Sequence, residues 1–285
     1  MNMKKKAIIA IAALCMVMAC AYADAKSDAL IEAAKNNDTA EVARLIQAGA
    51  DLNATDDYGK TALMRAAYRN AVDAARLLIE SGADVNAKDD HGLTVLIHAS
   101  VNNAVDAARL LIQAGADVNA REDDDGMTAL MSAVNGTADM AELLIETGAD
   151  VNAKDNEGAT ALIFAASLNA ADMARLLIAA GADVNEKDND GKTALIWAAW
   201  HNAADVAKLL IQAGADVNAR EDIDGITALM AAAADNAADT AKLLIQAGAD
   251  MNTRENMYDM TALMIAKERD AKDVIALLEA VGAEE

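Results

Sequence analysis

Apolar positions along this chain come in two short helical bursts per period, separated by polar turns. The stretch Gly191 to Arg220 shows the pattern most plainly. Thr193 stands ahead of a burst in which Leu195, Ala198 and Ala199 form a stripe of small residues, and its hydroxyl is placed to accept from the first free N–H groups of a helix beginning at Ala194. Asn202 interrupts the burst, and asparagine tolerates the left-handed conformation that ends a helix. Val206, Leu209, Leu210 and Ile211 then define a second helix. Gly214 sits where a C-terminal cap needs positive φ, and Gly-Ala-Asp-Val-Asn turns the chain outward.

The unit recurs. The capping threonine returns at Thr61, Thr94, Thr128, Thr160, Thr193, Thr227 and Thr261, a period of about 33 residues. Gly-Ala-Asp returns at Gly49, Gly82, Gly115, Gly148, Gly181, Gly214 and Gly248, with Gly-Ala-Glu at Gly282. A helix pair of this size cannot bury its apolar face alone, so the copies must stack. In Gly-x-Thr-x-Leu, the Ala-Ala pair, Leu-Leu-Ile and Gly-Ala-Asp-Val-Asn, the chain resembles ankyrin-repeat proteins, of the exported bacterial type. The resemblance implies an all-α fold, an ankyrin-repeat solenoid of about eight helix-turn-helix units with β-hairpin-like connecting loops. The repeat domain is expected over 24–285: an N-terminal cap repeat over about 25–56 with Asp28 as its helix cap, six internal repeats over about 57–257, and a charged C-terminal cap repeat over about 258–285.

Two departures from the family pattern stand out. Ala62, Ala129, Ala161, Ala194, Ala228 and Ala262, with Val95, replace the usual proline, which is preorganised for the first helical position but not required. Met64, Ile97, Ile163, Ile196, Met230 and Met264 replace the usual histidine, so apolar packing is expected instead of its hydrogen bonds. Some junctions are irregular as well. The loops at Arg121–Gly126 and Arg220–Gly225 are one residue longer than the others, Arg254–Asp259 is long and lacks the glycine, and one residue is missing between Thr128 and Asp139.

Residues 1–23 stand outside the repeats. Lys4, Lys5 and Lys6 precede an apolar run from Ala7 to about Ala19, and Ala21-Tyr22-Ala23 offers small residues for cleavage before Asp24. This is the layout of a signal peptide, and the run is shorter than the ~20 residues of a membrane span. The expected destination is the bacterial periplasm. Val17-Met18-Ala19-Cys20 approximates a lipobox, which leaves open a lipid anchor at Cys20 and with it a membrane location. Cys15 and Cys20 are the only cysteines, so a cleaved chain would hold neither disulfide nor thiol. Removing the three leader lysines takes the formal net charge from −22 to −25. Such a surface repels phosphate backbones, which excludes nucleic acid, and would steer a basic protein partner inward. It also keeps an alanine-rich chain soluble.

The residues do not assemble chemistry. Glu186-x-Asp188-x-Asp190 ahead of Gly191 has calcium-loop spacing, but the closing glutamate position is Trp197. His91, His98 and His201 are the only histidines and lack cysteine partners for zinc. No nucleophile–base pair or phosphate loop is legible. Neither enzyme activity, small-molecule substrate, metal nor cofactor is expected.

Aromatic residues are scarce, yet Phe164, Trp197 and Trp200, the only Phe and both Trp, fall in two adjacent repeats. By resemblance, the two residues after Ala-Ala vary most and contact partners; here they include Tyr68 and Arg69, Ser167 and Leu168, and Trp200 and His201. Low-entropy aromatic side chains are common interface anchors, though they could equally fill gaps beside alanine. The expectation is a monomeric, non-catalytic protein-interaction scaffold of the cell envelope. It would bind through the concave helix face at Trp200, His201, Trp197, Phe164 and Leu168, extended by Tyr68 and Arg69, with Tyr58, Lys60, His91 and Lys192 on the hairpin-tip rim. Alternatives are an inhibitor or immunity protein for one secreted enzyme, or a general protective envelope protein.

Overall fold

The structure, a computed structural model, describes residues 25–284; the leader, both cysteines and the cleavage site fall outside the described residues. It divides into two compact units, the first ending at Asp124 and the second beginning at Asp125. The first unit carries three helix pairs: α1 (25–35) with α2 (Thr39–Gln47), α3 (Ala62–Tyr68) with α4 (Val72–Glu80), and α5 (Val95–Val101) with α6 (Val105–Gln113). The second carries five. They are α7 (Ala129–Ser132) with α8 (Ala138–Glu146), α9 (Ala161–Ser167) with α10 (Ala171–Ala179), α11 (Ala194–Trp200) with α12 (Ala204–Gln212), α13 (Ala228–Ala234) with α14 (Ala238–Gln246), and α15 (Ala262–Glu268) with α16 (Lys272–Ala280). Among the described residues there is no extended sheet; isolated bridges such as Lys88 with Thr94 and Lys187 with Thr193 close hairpin-like loops.

Each helix begins and ends for a local reason. All seven repeat threonines cap: Thr193 Oγ1 accepts from Ile196 N–H at 3.4 Å, and Thr94 Oγ1 from Ile97 N–H at 3.2 Å. First helices stop at a residue in the left-handed region, an asparagine such as Asn202 at φ 48° and Asn70 at φ 53°, or Asp270 at φ 55° in the last repeat. The shortened repeat has no such residue. Its α7 tightens instead into a 3-10 turn (Ala133–Asn135), which absorbs the missing residue. Asp28 corrects the expectation made for it. It lies inside α1, already helical from residue 25, and is exposed, so it is not the cap.

Within each unit the first helices pack on one another, as do the second helices. The seam between first helices is built from alanine. Ala66, Ala67, Ala198 and Ala199 are fully buried, and so are Leu78, Leu111 and Leu210 on the second helices. Where the family's histidine is replaced, Met64, Ile97 and Ile196 are also fully buried. Burying one leucine-sized side chain stabilises by roughly 1.5–3 kcal/mol.

The loop tips follow a length rule. In the shorter loops one aspartate oxygen gathers two backbone N–H groups: Asp188 Oδ1 accepts from Asp190 at 3.0 Å and Lys192 at 2.8 Å. In the longer loops a glutamate does this work. Glu221 accepts from Ile223, Asp224 and Ile226, and Glu255 from Met257, Tyr258 and Met260. One extra loop residue is matched by one extra methylene. Both glutamates are buried. For Glu255, burial alone would raise the carboxyl pKa, but the three N–H groups outweigh it and hold the group below its ordinary value. Where Arg254–Asp259 lacks glycine, Asp259 itself adopts φ 59°. Gly191 has a different constraint: a Cβ there would collide with the Asp222 carboxyl group of the next tip.

The length rule predicts that Glu221→Asp lowers stability by about 1–2 kcal/mol, because the shorter arm leaves loop N–H groups unpaired. Urea unfolding followed by circular dichroism checks this, and an unchanged midpoint would contradict it.

Candidate functional site

In three repeats the second turn of the first helix meets the carboxylate that anchors its own loop. Arg65 Nε donates to Asp56 Oδ2 at 2.9 Å, and His98 Nε2 meets Asp89 Oδ2 at 2.8 Å. In the second unit Trp197 takes this role, its indole N–H donating to Asp188 Oδ2 at 2.8 Å. Trp197 is therefore oriented from within, and its polar handle is already used.

Around Trp197 the chain builds a compact cluster. Trp200 meets it edge-on with ring centroids 6.1 Å apart, and His201 stacks on it at 5.8 Å with planes 3° apart. Lys192 Nζ lies 5.4 Å from the Trp197 ring and 5.5 Å from that of Trp200, and is paired with Asp190. Lys192 was expected on the rim. Instead its side chain is only 15% exposed, because two indoles and a carboxylate together hold the ammonium.

Hollows open on both sides of this cluster. One, of about 360 Å³, is lined by Phe164, Ile163 and Trp197 below the carboxylates of Asp155, Glu157 and Asp190. The other, of about 250 Å³, is lined by Trp200 with Ile226, Met230, Met257, Tyr258 and Met260. Leu168 caps the end of α9 and is exposed. Tyr258 and Met257 are 70% and 60% exposed, and Ile223 on the preceding tip is 62% exposed. These tip residues were missed in the sequence. Their signal was legible, since Ile223 and Met257 put large apolar side chains where Asp124 and Asp190 stand in other loops, and Tyr258 stands where the other long loops carry Asp125 and Asp224.

The remaining expected contacts belong to the first unit. Tyr58 is exposed at a tip, and Lys60 is half-buried beside Met64, Arg65, Tyr68 and His98. Tyr68 meets the His98 ring edge-on at 6.5 Å. Arg69 ends α3 on the surface. His91 Nδ1 lies 2.9 Å from Asp124 Oδ2. The structure thus brings Phe164, Lys192, Trp197, Trp200 and His201 together, while Tyr58, Lys60, Tyr68, Arg69 and His91 lie in the other unit.

The calcium-spaced carboxylates are all engaged internally: Glu186 with Lys154, Asp188 with Trp197 and two backbone N–H groups, and Asp190 with Lys192.

The sequence profile described as "Ankyrin repeats (3 copies)" matches residues 10–89, 86–155, 151–221 and 219–284. The chain belongs to the ankyrin-repeat family. Among solved structures, the crystal structure of the ankyrin repeat domain of Bcl-3, described as a unique member of the IkappaB protein family, is similar at a TM-score of 0.68 and 30% identity, covering 76% of this chain and 97% of that one. No curated protein matches the sequence. Ankyrin repeats are a protein-interaction scaffold, and the fold is that of a non-enzymatic family.

One buried pair in these ankyrin repeats lies in the first unit. Both His98 and Asp89 are buried, and Asp89 Oδ1 also accepts from His91 and Leu93 N–H. Burial disfavours the imidazolium and outweighs the attraction of Asp89, so the His98 pKa lies below its ordinary 6.5. The unfolded chain therefore binds a proton at higher pH than the folded one. Stability is full above the unfolded value and declines as pH falls below it. Thermal melts between about pH 7.5 and 5 should show this decline, and His98→Gln should flatten it. Parallel slopes in the two proteins would remove His98 as the cause.

Proposed function

We propose that this chain is an exported protein-binding scaffold of the bacterial cell envelope, docking one partner on the loop-tip and first-helix face of its second unit. The observation that carries this is the Trp197–Trp200 cluster with an open hollow on each side. In a chain of 2% aromatic residues, gap-filling would leave no such hollows, and exposed Met257 and Tyr258 continue the surface. Trp200 is the anchor in this reading: half-buried, with its ring set from behind by Trp197 and its outer side on the Met257–Tyr258 hollow. Export rests on Lys4–Lys6, the apolar run and Ala21-Tyr22-Ala23; acidity favours a basic partner. The concentration of aromatics in one place also favours a single partner, as an inhibitor or immunity protein would have.

Affinity capture from envelope extract tests the docking face. The parent chain should retain one basic protein, and Trp200→Ala should weaken that complex by about 2 kcal/mol with its thermal melt unchanged. Equal retention by both would sink the anchor. In the same cells, fractionation should find a chain beginning at Asp24 in the periplasm, and intact chain in the cytoplasm would sink the envelope assignment.

A further inference from the structure

We infer that the hollow beside Asp155 is a receptor for an arginine side chain of a protein partner. This rests on the interaction-scaffold reading and names the partner chemistry at its first hollow. In three short loops the anchoring aspartate is satisfied at both oxygens, one by loop N–H groups and the other by the residue nine positions later: Arg65 for Asp56, His98 for Asp89 and Trp197 for Asp188. Asp155 breaks the pattern. Its Oδ1 accepts from Glu157 N–H at 2.9 Å and Ala159 N–H at 2.8 Å, but the residue nine positions later is Phe164, which has nothing to donate. Among the described residues no donor reaches Asp155 Oδ2.

Among the described residues the donor's place is not filled from elsewhere, and Asp155 borders the hollow. Phe164, Ile163 and Trp197 supply an apolar floor, and the Glu157 carboxylate, also without a partner among the described residues, stands at the rim. Of the other charges facing it, Asp188 is satisfied by Trp197 and loop N–H groups, and Asp190 neutralises Lys192. The uncompensated charge is therefore negative. A guanidinium fits both features. It donates in a fixed fork to carboxylates, and its weakly hydrated plane lies well against aromatic surface, whereas an ammonium offers a point charge. The chain contains its own precedent, because Arg65 reaches Asp56 Oδ2 at the corresponding place in the first unit.

Titration of Nα-acetyl-argininamide into the full chain, with isotope-labelled tryptophan indoles observed by NMR, tests the receptor. The Trp197 indole signal should shift saturably in the millimolar range, and the uncharged citrulline analogue should not produce that shift. Asp155→Asn keeps the loop acceptor but should weaken binding by about tenfold. Phe164→Arg should abolish the response, and should raise the melting temperature by recreating the Arg65–Asp56 pair. No saturable shift, an equal response to citrulline, or undiminished binding by Asp155→Asn overturns the receptor. The two readings fail separately. A captured protein retained equally by Asp155→Asn, with no arginine response, removes the receptor and leaves the scaffold. An Asp155-dependent arginine response with no protein captured keeps the receptor and removes the envelope partner.

Discussion

A helix pair of this length is too thin to enclose a core, so each copy is stable only as its neighbour's other half. That constraint explains where this chain spends its polar side chains. The asparagine of Gly-Ala-Asp-Val-Asn accepts from the next copy: Asn86 Oδ1 from Asp117 N–H at 2.9 Å, and Asn185 Oδ1 from Asp216 N–H at 2.7 Å. The asparagine ending the first helix reaches the next second helix, Asn37 to Ala74 N–H at 2.9 Å and Asn70 to Ala107 N–H at 3.0 Å. The Ala74 and Ala107 N–H groups lie in the first turns of α4 and α6, where no intrahelical acceptor exists. Each clamp is worth on the order of 1 kcal/mol net, but it also sets the register in which the alanine seams close.

The loop tips obey a second constraint. A backbone turn packed against its neighbours exposes N–H groups that need an acceptor, and one carboxylate per loop supplies it. Aspartate serves the short turn and glutamate the long one. Because the second carboxylate oxygen still needs a donor, the residue nine positions on becomes the place where repeats diverge without unfolding. Arginine, histidine and tryptophan each solve it differently, and phenylalanine leaves it open. Variation that distinguishes one repeat's surface from another is thereby confined to a position with a defined physical task.

This arrangement connects fold to recognition. The same requirement that orients Trp197 from within frees Trp200 to face outward, and the same absence that leaves Asp155 half-satisfied makes the adjoining hollow acidic. A rigid array of capped helices contributes preorganisation, so side chains at its edge lose little further entropy when a partner arrives.

Period, helix caps and turns were legible in the residues because each follows from short-range physics. A threonine three residues ahead of a helix N–H, an asparagine that tolerates φ near 50° and a Gly-Ala-Asp turn act within one turn of chain. The aromatic cluster was legible as a neighbourhood, since Trp197, Trp200 and His201 share a helix and its end. What only the tertiary structure decided depends on distances across loops and between copies. The commitment of Trp197 to Asp188, the capture of Lys192 and the inward reach of the asparagines are of this kind. So are the role of Met257 and Tyr258 as the wall of a hollow beside Trp200 and the open oxygen of Asp155. A side chain's partner one repeat away leaves no mark on its local pattern, because geometry and not propensity brings the two together.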